Sequence, residues 1–212
     1  PNQQLVMVYD LGGGTFDVTL VRFSGYEVRV LGTDGDVRLG GREWDDRIVK
    51  HACGQFMAEH GLDPREDKAA YPELVFLAEE AKKTLSGHDA VSLPLRAHHK
   101  EIQVELTRQR FEELTEDLLR RTQATCELML SAAGVAWREL DRILLVGGSS
   151  KMPMVHRMLE RFSSQGTDDQ LPSDLIVAQG AAIHAAMLED RRVQQLKRDK
   201  SDAPSRAADA RE

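Results

Sequence analysis

The sequence predicts an α/β fold: a mixed sheet covered by helices, with a smaller α+β unit inserted. Three observations predict it. The first forty residues alternate with the two-residue period of strands, the period turns helical at Arg42, and the later apolar runs each lead through a turn into a helix. Helical crossovers return the chain to the same sheet, so parallel and antiparallel neighbours must coexist.

Leu5-Val6-Met7-Val8-Tyr9 is a short apolar strand that stops at Asp10 and a glycine triplet. Phe16, Val18 and Leu20 then alternate with Asp17 and Thr19, as a strand with one buried face requires. Tyr26, Val28 and Val30 alternate in the same way before Gly32 and Gly35 punctuate a turn, completing a three-stranded meander. From Arg42, Trp44, Ile48, Ala52 and Phe56 recur every four residues with Val49, Cys53 and Met57 beside them, and Gly61 ends this amphipathic helix. Residues 73–86 read as a second helix, and Val91 to Leu106 as two short strands.

A long helix follows, with Thr107 as N-cap, Phe111, Leu114, Leu118 and Met129 along one side, and Gly134 as C-cap. Ile143-Leu144-Leu145-Val146 is a buried strand that ends at Gly147-Gly148. Pro153 suits the first turn of a helix running to about Phe162. Leu175-Ile176-Val177 then supplies a last strand, leading into a small-residue helix through Ala181, Ala182, Ala185 and Ala186. The tail from Glu189, with seven basic and six acidic residues, reads as a frayed helix or a disordered segment.

Composition narrows the function. A formal net charge of -7 argues against nucleic-acid binding, which needs a basic surface. An acidic chain can still hold ATP where backbone N–H groups and a metal ion neutralise the phosphates. Cys53 and Cys126 lie far apart outside any CxxC motif, which fits a reducing compartment better than a disulfide or zinc framework. The pair His98-His99 has no ligand-spaced partner and reads as a solvated loop or strand end. The stretch Leu175 to Leu188 is too short and polar to span a membrane. With no signal peptide and a start at Pro1, the reading is of a soluble, cytoplasmic piece of a longer protein.

Two loops and one helix could carry chemistry. In Asp10-Leu11-Gly12-Gly13-Gly14-Thr15, three glycines between strands let backbone N–H groups approach an anion, Asp10 can hold a metal-bound water, and Thr15 can donate to a phosphoryl oxygen. A flexible hairpin turn is the plain alternative. The loop is not a Walker A motif, because no Gly-Lys-Ser/Thr follows. Val146-Gly147-Gly148-Ser149-Ser150-Lys151 places a glycine pair between a strand and a helix N-terminus, where free N–H groups and a partial positive charge would meet. An ordinary strand-to-helix turn would look the same. Glu79, Lys82 and Ser86, with Lys83 adjacent, share one helix face that could read a base and a ribose, or could simply be solvated. Asp174 could serve the same site or cap the final helix. Ser149 lacks a G-x-S-x-G setting, and Asp10 with Asp17 lacks a sugar-binding context, so hydrolases of those kinds are not indicated.

Together these motifs closely resemble the 70-kilodalton heat-shock (DnaK-type) chaperones. Val8 to Val18 looks like that family's second phosphate loop, and Gly35-Asp36 with Leu39-Gly40-Gly41 like its next signature. Glu79 to Ser86 is similar to its adenosine-binding helix, Ile143 to Pro153 to its adenosine loop, and Asp174 with Val177 to Ala182 to its last motif. The resemblance implies one lobe, the second, of an actin-like (ribonuclease H-like) ATPase fold. Residues 1–39 and 107–189 would form its core subdomain, 40–106 an inserted outer subdomain, and 190–212 a tail. It also implies ATP or ADP with Mg2+. Gly12, Gly13, Gly14 and Thr15 would contact phosphates, and Asp10 and Asp17 would lie near the magnesium and the attacking water, Asp10 holding the metal through water. Glu79, Lys82, Lys83 and Ser86 would hold adenosine from one side; Gly147, Gly148, Ser149 and Lys151 from the other, with Gly41 and Asp174 nearby. Implied partners are the first lobe of the same protein, a J-domain co-chaperone and a nucleotide-exchange factor, with unfolded peptides bound only through a further domain.

Three departures from the family pattern bear on activity. The first lobe, with its own phosphate loop and water-organising lysine, is not in this stretch, so the isolated lobe is expected to be nearly inactive. Lys151 stands where many relatives carry arginine and lacks the planar group that stacks on a base. The residues after Leu188 show no apolar linker. Two other classes stay open: a non-hydrolysing scaffold binding partners through residues 40–106, and another actin-superfamily ATPase such as a filament-forming actin relative or a sugar kinase. Upstream sequence would separate the first, and the run Glu79 to Ser86 argues against the second.

Overall fold

In a computed structural model of the chain, residues 3–25, 27–163, 166–168 and 176–201 are described. They belong to two units, spanning residues 1–173 and 174–212. The first contains β1 (Gln3–Leu11), β2 (Phe16–Ser24), β3 (Glu27–Asp36), α1 (Gly41–His60), α2 (Ala70–Gly87), β4 (Ala90–Ala97), β5 (Lys100–Thr107), α3 (Arg108–Ala133), β6 (Arg142–Val146), α4 (Pro153–Ser163) and β7 (Thr167–Asp168). The described part of the second unit is one helix, α5 (Ile176–Ser201).

β3-β2-β1-β6-β7 is the strand order of the main sheet. The meander is antiparallel, while β6 pairs in parallel with β1 and β7 with β6, so the sheet is mixed. β6 can run parallel to β1 because α3 carries the chain back across the sheet. Met7, Tyr9 and Leu11 of β1 and Phe16, Val18 and Leu20 of β2 are fully buried in one core with Phe111, Leu118 and Met129 of α3. Thr107 caps α3 by accepting from the Arg110 amide at 3.1 Å, and Gly134 ends it with φ 66°. Gly61 ends α1 in the same left-handed conformation, φ 67°. α1 buries Trp44, Ile48, Ala52 and Phe56 along one stripe.

A separate two-stranded sheet pairs β4 with β5, Leu93 opposite Val104 and Leu95 opposite Ile102. All four of these side chains are buried. α2 packs on β4 and against α1.

Several details differ from the sequence reading. Val28 and Val30 are each 59% exposed, because α3 packs on the other face of β3, where Gly32 meets Met129 and Ala133. Gly32 and Gly35 lie inside β3, not in a turn, and the register shifts between Leu20 and Val21, leaving Leu31 as the extra residue of a bulge. Gly35 is needed there: a Cβ would stand 2.7 Å from the Phe16 carbonyl oxygen and 2.9 Å from Asp17 Oδ1. Among the described residues the last strand of the sheet is Thr167–Asp168, and Ile176 and Val177, expected in a strand, begin a helix. From Glu189 the chain stays helical to Ser201. Tyr26, Asp174 and Leu175 lie outside the described residues. Among those described, no helix is long and apolar enough to cross a membrane.

His98 and His99 form the tight turn between β4 and β5, with φ of 50° and 59°. His98 is tied down as well as turned. Its amide donates to Asp67 Oδ2 at 2.8 Å, and its Nε2 sits 2.9 Å from the Asp63 carbonyl oxygen. His99 is exposed and carries the left-handed backbone without such support. Replacing His99 with glycine is expected to raise stability by about 0.5–1 kcal/mol, the relief of left-handed strain exceeding the added freedom of the unfolded chain. A urea midpoint that falls instead of rising would contradict this account of the turn.

Candidate functional site

Three glycine-bearing turns meet at one end of the main sheet. β1 and β2 are joined by Gly12–Thr15, with Asp10 directly opposite Asp17 in the register. The Gly12 amide donates back to the Thr15 carbonyl at 3.0 Å. The carbonyls of Gly12 and Gly13 accept from the Gly41 and Arg42 amides at 2.9 and 3.0 Å. The loop therefore occupies the N-terminus of α1 with its carbonyls, satisfying donors that a helix start leaves orphaned. The amides of Gly13, Gly14 and Thr15 donate to no other described residue. No atom lies within 4 Å of where a Cβ on Gly13 or Gly14 would stand, although the Gly14 backbone packs against Gly40, whose own Cβ would fall 2.5 Å from the Gly14 nitrogen.

The third turn follows β6. Gly147 has φ 82°, and a Cβ there would strike the Leu11 carbonyl and stand 2.7 Å from Asp10 Oδ1. The glycine pair does not open an α-helix, as the sequence suggested: Gly148–Lys151 is a short 3-10 turn, and α4 starts only at Pro153. A helix dipole is therefore not aimed from Gly148, and the turn contributes shape instead.

Between these turns and α2 lies a cleft of about 360 Å³. Gly13, Gly41, Gly148 and Ser149 line one side, and Glu79, Lys82 and Lys83 the other, with Arg42 and Asp45 completing it. Lys82 is not on a solvated face. It is 8% exposed, donates to the Gly41 carbonyl at 3.0 Å and pairs with Asp45 at 2.8 Å. A Cβ on Gly41 would collide with Ser149 Oγ and stand 2.8 Å from Lys82 Nζ, so any larger residue there would displace both side chains. Burial pushes the Asp45 carboxyl up, while the hydrogen bond and charge of Lys82 pull it down. Lys83 bridges Glu80 at 2.8 Å and Glu79 at 3.0 Å. The two carboxylates raise the Lys83 ammonium, and its hydrogen bond lowers Glu79.

The remaining residues singled out by sequence sit at the margin. Asp10 and Asp17 flank the base of the glycine loop, Thr15 is exposed at its end, and none of the three lines the cleft. Ser86 donates to the Lys82 carbonyl at 3.3 Å, one turn beyond the lining residues. Lys151 is exposed at the end of the 3-10 turn and does not line the cleft either. Asp174 lies outside the described residues. Sequence reading passed over Asp45 and Arg42. Asp45 was findable, because it sits on the stripe of α1 that buries Trp44, Ile48 and Val49 and is the charged residue there. Arg42, exposed beside Gly41, carries no such signal.

A larger cavity, about 710 Å³, lies between α3 and α4 over Leu119, Met154 and Phe162, and contains none of the candidate residues. The smaller cleft is the stronger candidate, because Gly13, whose amide has no described partner, and three cations line it together.

A family model described as Hsp70 protein matches residues 1–199. The chain belongs to the Hsp70 family. It is 39% identical over 191 residues to the chaperone protein DnaK of Metamycoplasma hominis, covering 87% of this chain and 32% of that protein. To the chaperone protein DnaK of Halobacterium salinarum it is 40% identical over 191 residues, 87% of this chain and 30% of that protein. This Hsp70-family chain thus spans about a third of the length of the curated relatives it matches.

At the base of the glycine loop, burial and then the facing Asp17 raise the Asp10 carboxyl above the ordinary range. The sign follows directly: stability from the protonated form is present below the unfolded-state value and is lost as pH rises through the higher folded-state value. At neutral pH the folded Hsp70-family chain therefore carries a charge it disfavours. Asp10→Asn is expected to stabilise the unliganded protein by about 0.5 kcal/mol, after allowing for screening at a half-exposed site. That is a rise of about 1–2 °C in melting temperature. The gain should fade below about pH 4, where aspartate itself is protonated. A melting temperature unchanged at pH 7 would contradict it.

Proposed function

We propose that this chain is the ATP- and ADP-binding second lobe of an Hsp70 chaperone ATPase domain. In the full-length protein this domain couples ATP hydrolysis to binding and release of unfolded peptides. The observation that carries the reading is the meeting of the free Gly13 amide, in a loop whose Gly14 and Thr15 amides also lack a described partner, with the Lys82, Lys83 and Arg42 cations around one cleft closed by Gly148 and Ser149. In this reading residues 1–39 and 107–189 form the core subdomain and 40–106 the outer one, whose separate β4–β5 sheet supports the division.

The residues fit a nucleoside polyphosphate. Open amides suit phosphate oxygens, and Glu79 with Lys82 can take the donors and acceptors of a ribose and base edge. Among the described residues no three His, Cys, Asp or Glu side chains are grouped to hold a metal ion alone. Magnesium, which keeps several waters and takes phosphate oxygens, fits that sparse donor set and would supply positive charge against the phosphates. Asp10, beside Asp17, accepts hydrogen bonds from water at that position; Thr15 donates to a phosphoryl oxygen. The first lobe supplies the opposite wall, and a J-domain co-chaperone and a nucleotide-exchange factor act on the whole.

Millimolar ADP with magnesium is expected to raise the melting temperature. With a dissociation constant of about 1 mM, about 10 mM ligand adds roughly 1.4 kcal/mol. For a domain of this size that is about 3–6 °C. GTP should give less, and Glu79→Ala should abolish the difference. Equal shifts with ADP and GTP, or none, would count against a preformed adenosine site.

A further inference from the structure

The parallel ladder between β1 and β6 ends at the pair Asp10 and Val146. Beyond that pair the two chains part, β1 into the glycine loop and β6 into Gly147-Gly148, and this divergence opens the cleft. At the parting point sits Ser150, 1% exposed. Its Oγ accepts from the Leu11 amide at 3.1 Å and donates to the Val146 carbonyl at 2.6 Å. One hydroxyl thus replaces the next rung of the ladder, pairing two backbone groups that would otherwise be buried without partners.

We propose that the Ser150 hydroxyl is a positioning group for the Gly12–Thr15 loop, and through the loop for the phosphate end of the nucleotide; the second half rests on the function proposed above. The loop is held at three places: its base by Ser150, its own turn by the Gly12–Thr15 hydrogen bond, and its carbonyls by α1. With those fixed, the amides of Gly13, Gly14 and Thr15 are left without a partner among the described residues. Ser150 does not line the cleft, so it acts through Leu11 and Gly12 and not by contact. Losing it frees the base of the loop and the Val146 end of the neighbouring turn without touching Glu79 or Lys82. On the proposed function, the effect should fall on the phosphate end more than on the contacts of Glu79 and Lys82.

The test uses the 212-residue chain with two readouts. Calorimetry with ADP and with AMP, each with magnesium, should show Ser150→Ala weakening ADP about tenfold while AMP changes less than about twofold. Amide hydrogen exchange without nucleotide should show the bonded amides of Leu11 and Gly12 exchanging about tenfold faster in Ser150→Ala, with the Gln3 end of β1 unchanged. Ser150→Thr, which keeps the hydroxyl, should restore both. Equal loss of ADP and AMP affinity would overturn the proposal, as would loop exchange that is unaltered or a change spread evenly over the sheet. If the unaltered chain takes up no ADP yet the loop still exchanges faster in the alanine variant, the loop-positioning role stands and the nucleotide reading falls.

Discussion

Gly147→Ala is expected to destabilise the protein by about 2–5 kcal/mol, the sum of left-handed backbone strain and an overpacked contact. The residue has φ 82°, and its Cβ would be driven into the Leu11 carbonyl and against Asp10 Oδ1. Neither neighbour can retreat. Leu11 is held by Ser150 and by its pairing with Phe16, and Asp10 is fixed in register between Asp17 and Val146. Gly148→Ala is the control one residue on, where nothing lies within 4 Å of the added Cβ and the backbone is not left-handed. It should change stability by less than about 0.5 kcal/mol. Urea unfolding of the two variants separates the ideas: similar losses would mean the turn needs glycine for flexibility and not for close approach.

Asp45→Ala should cost about 3–5 kcal/mol, because it leaves the Lys82 ammonium buried with the Gly41 carbonyl as its remaining partner. Pairing Asp45→Leu with Lys82→Met should recover most of that loss, since a buried ion pair contributes little net stability over apolar residues of similar volume. The coupling energy from the double-mutant cycle should exceed about 1 kcal/mol. Additive losses would mean that the 2.8 Å contact between them carries no weight. The same double variant should fail to bind ADP even when folded, which separates the pair's part in the proposed site from its part in the fold.

Much of the fold was legible because period and punctuation agree locally. Gly61 and Gly134 sit where helices must turn left-handed, Thr107 where an amide needs capping, and Val91 to Leu106 alternate loosely as two short strands. What could not be read depends on partners far away in the chain. Val28 and Val30 alternate like buried residues, but α3 covers the opposite face of β3, at Gly32, and leaves them exposed. Gly32 and Gly35 resemble turn residues, yet Gly35 is glycine because Asp17 lies against it. Thr167–Asp168 is too short a strand to leave any periodic trace.

The candidate site divides in the same way. Its glycines announce themselves through spacing, whereas Asp45 and Ser150 earn their places only through residues 37 and 139 positions away. Lys82 illustrates the limit best. Spacing places it on a polar helix face, and only the approach of α1 at Gly41 makes that face an interior one.

The most direct test of the nucleotide assignment is the response of backbone amide resonances to ADP with magnesium. If one site is built from three turns and a helix, Gly13, Gly14, Thr15, Gly148 and Ser149 should shift together with Glu79 and Lys82, titrating with a single dissociation constant. Shifts centred instead on the α3–α4 cavity around Met154 and Arg157, or none at the glycine loop, would contradict it.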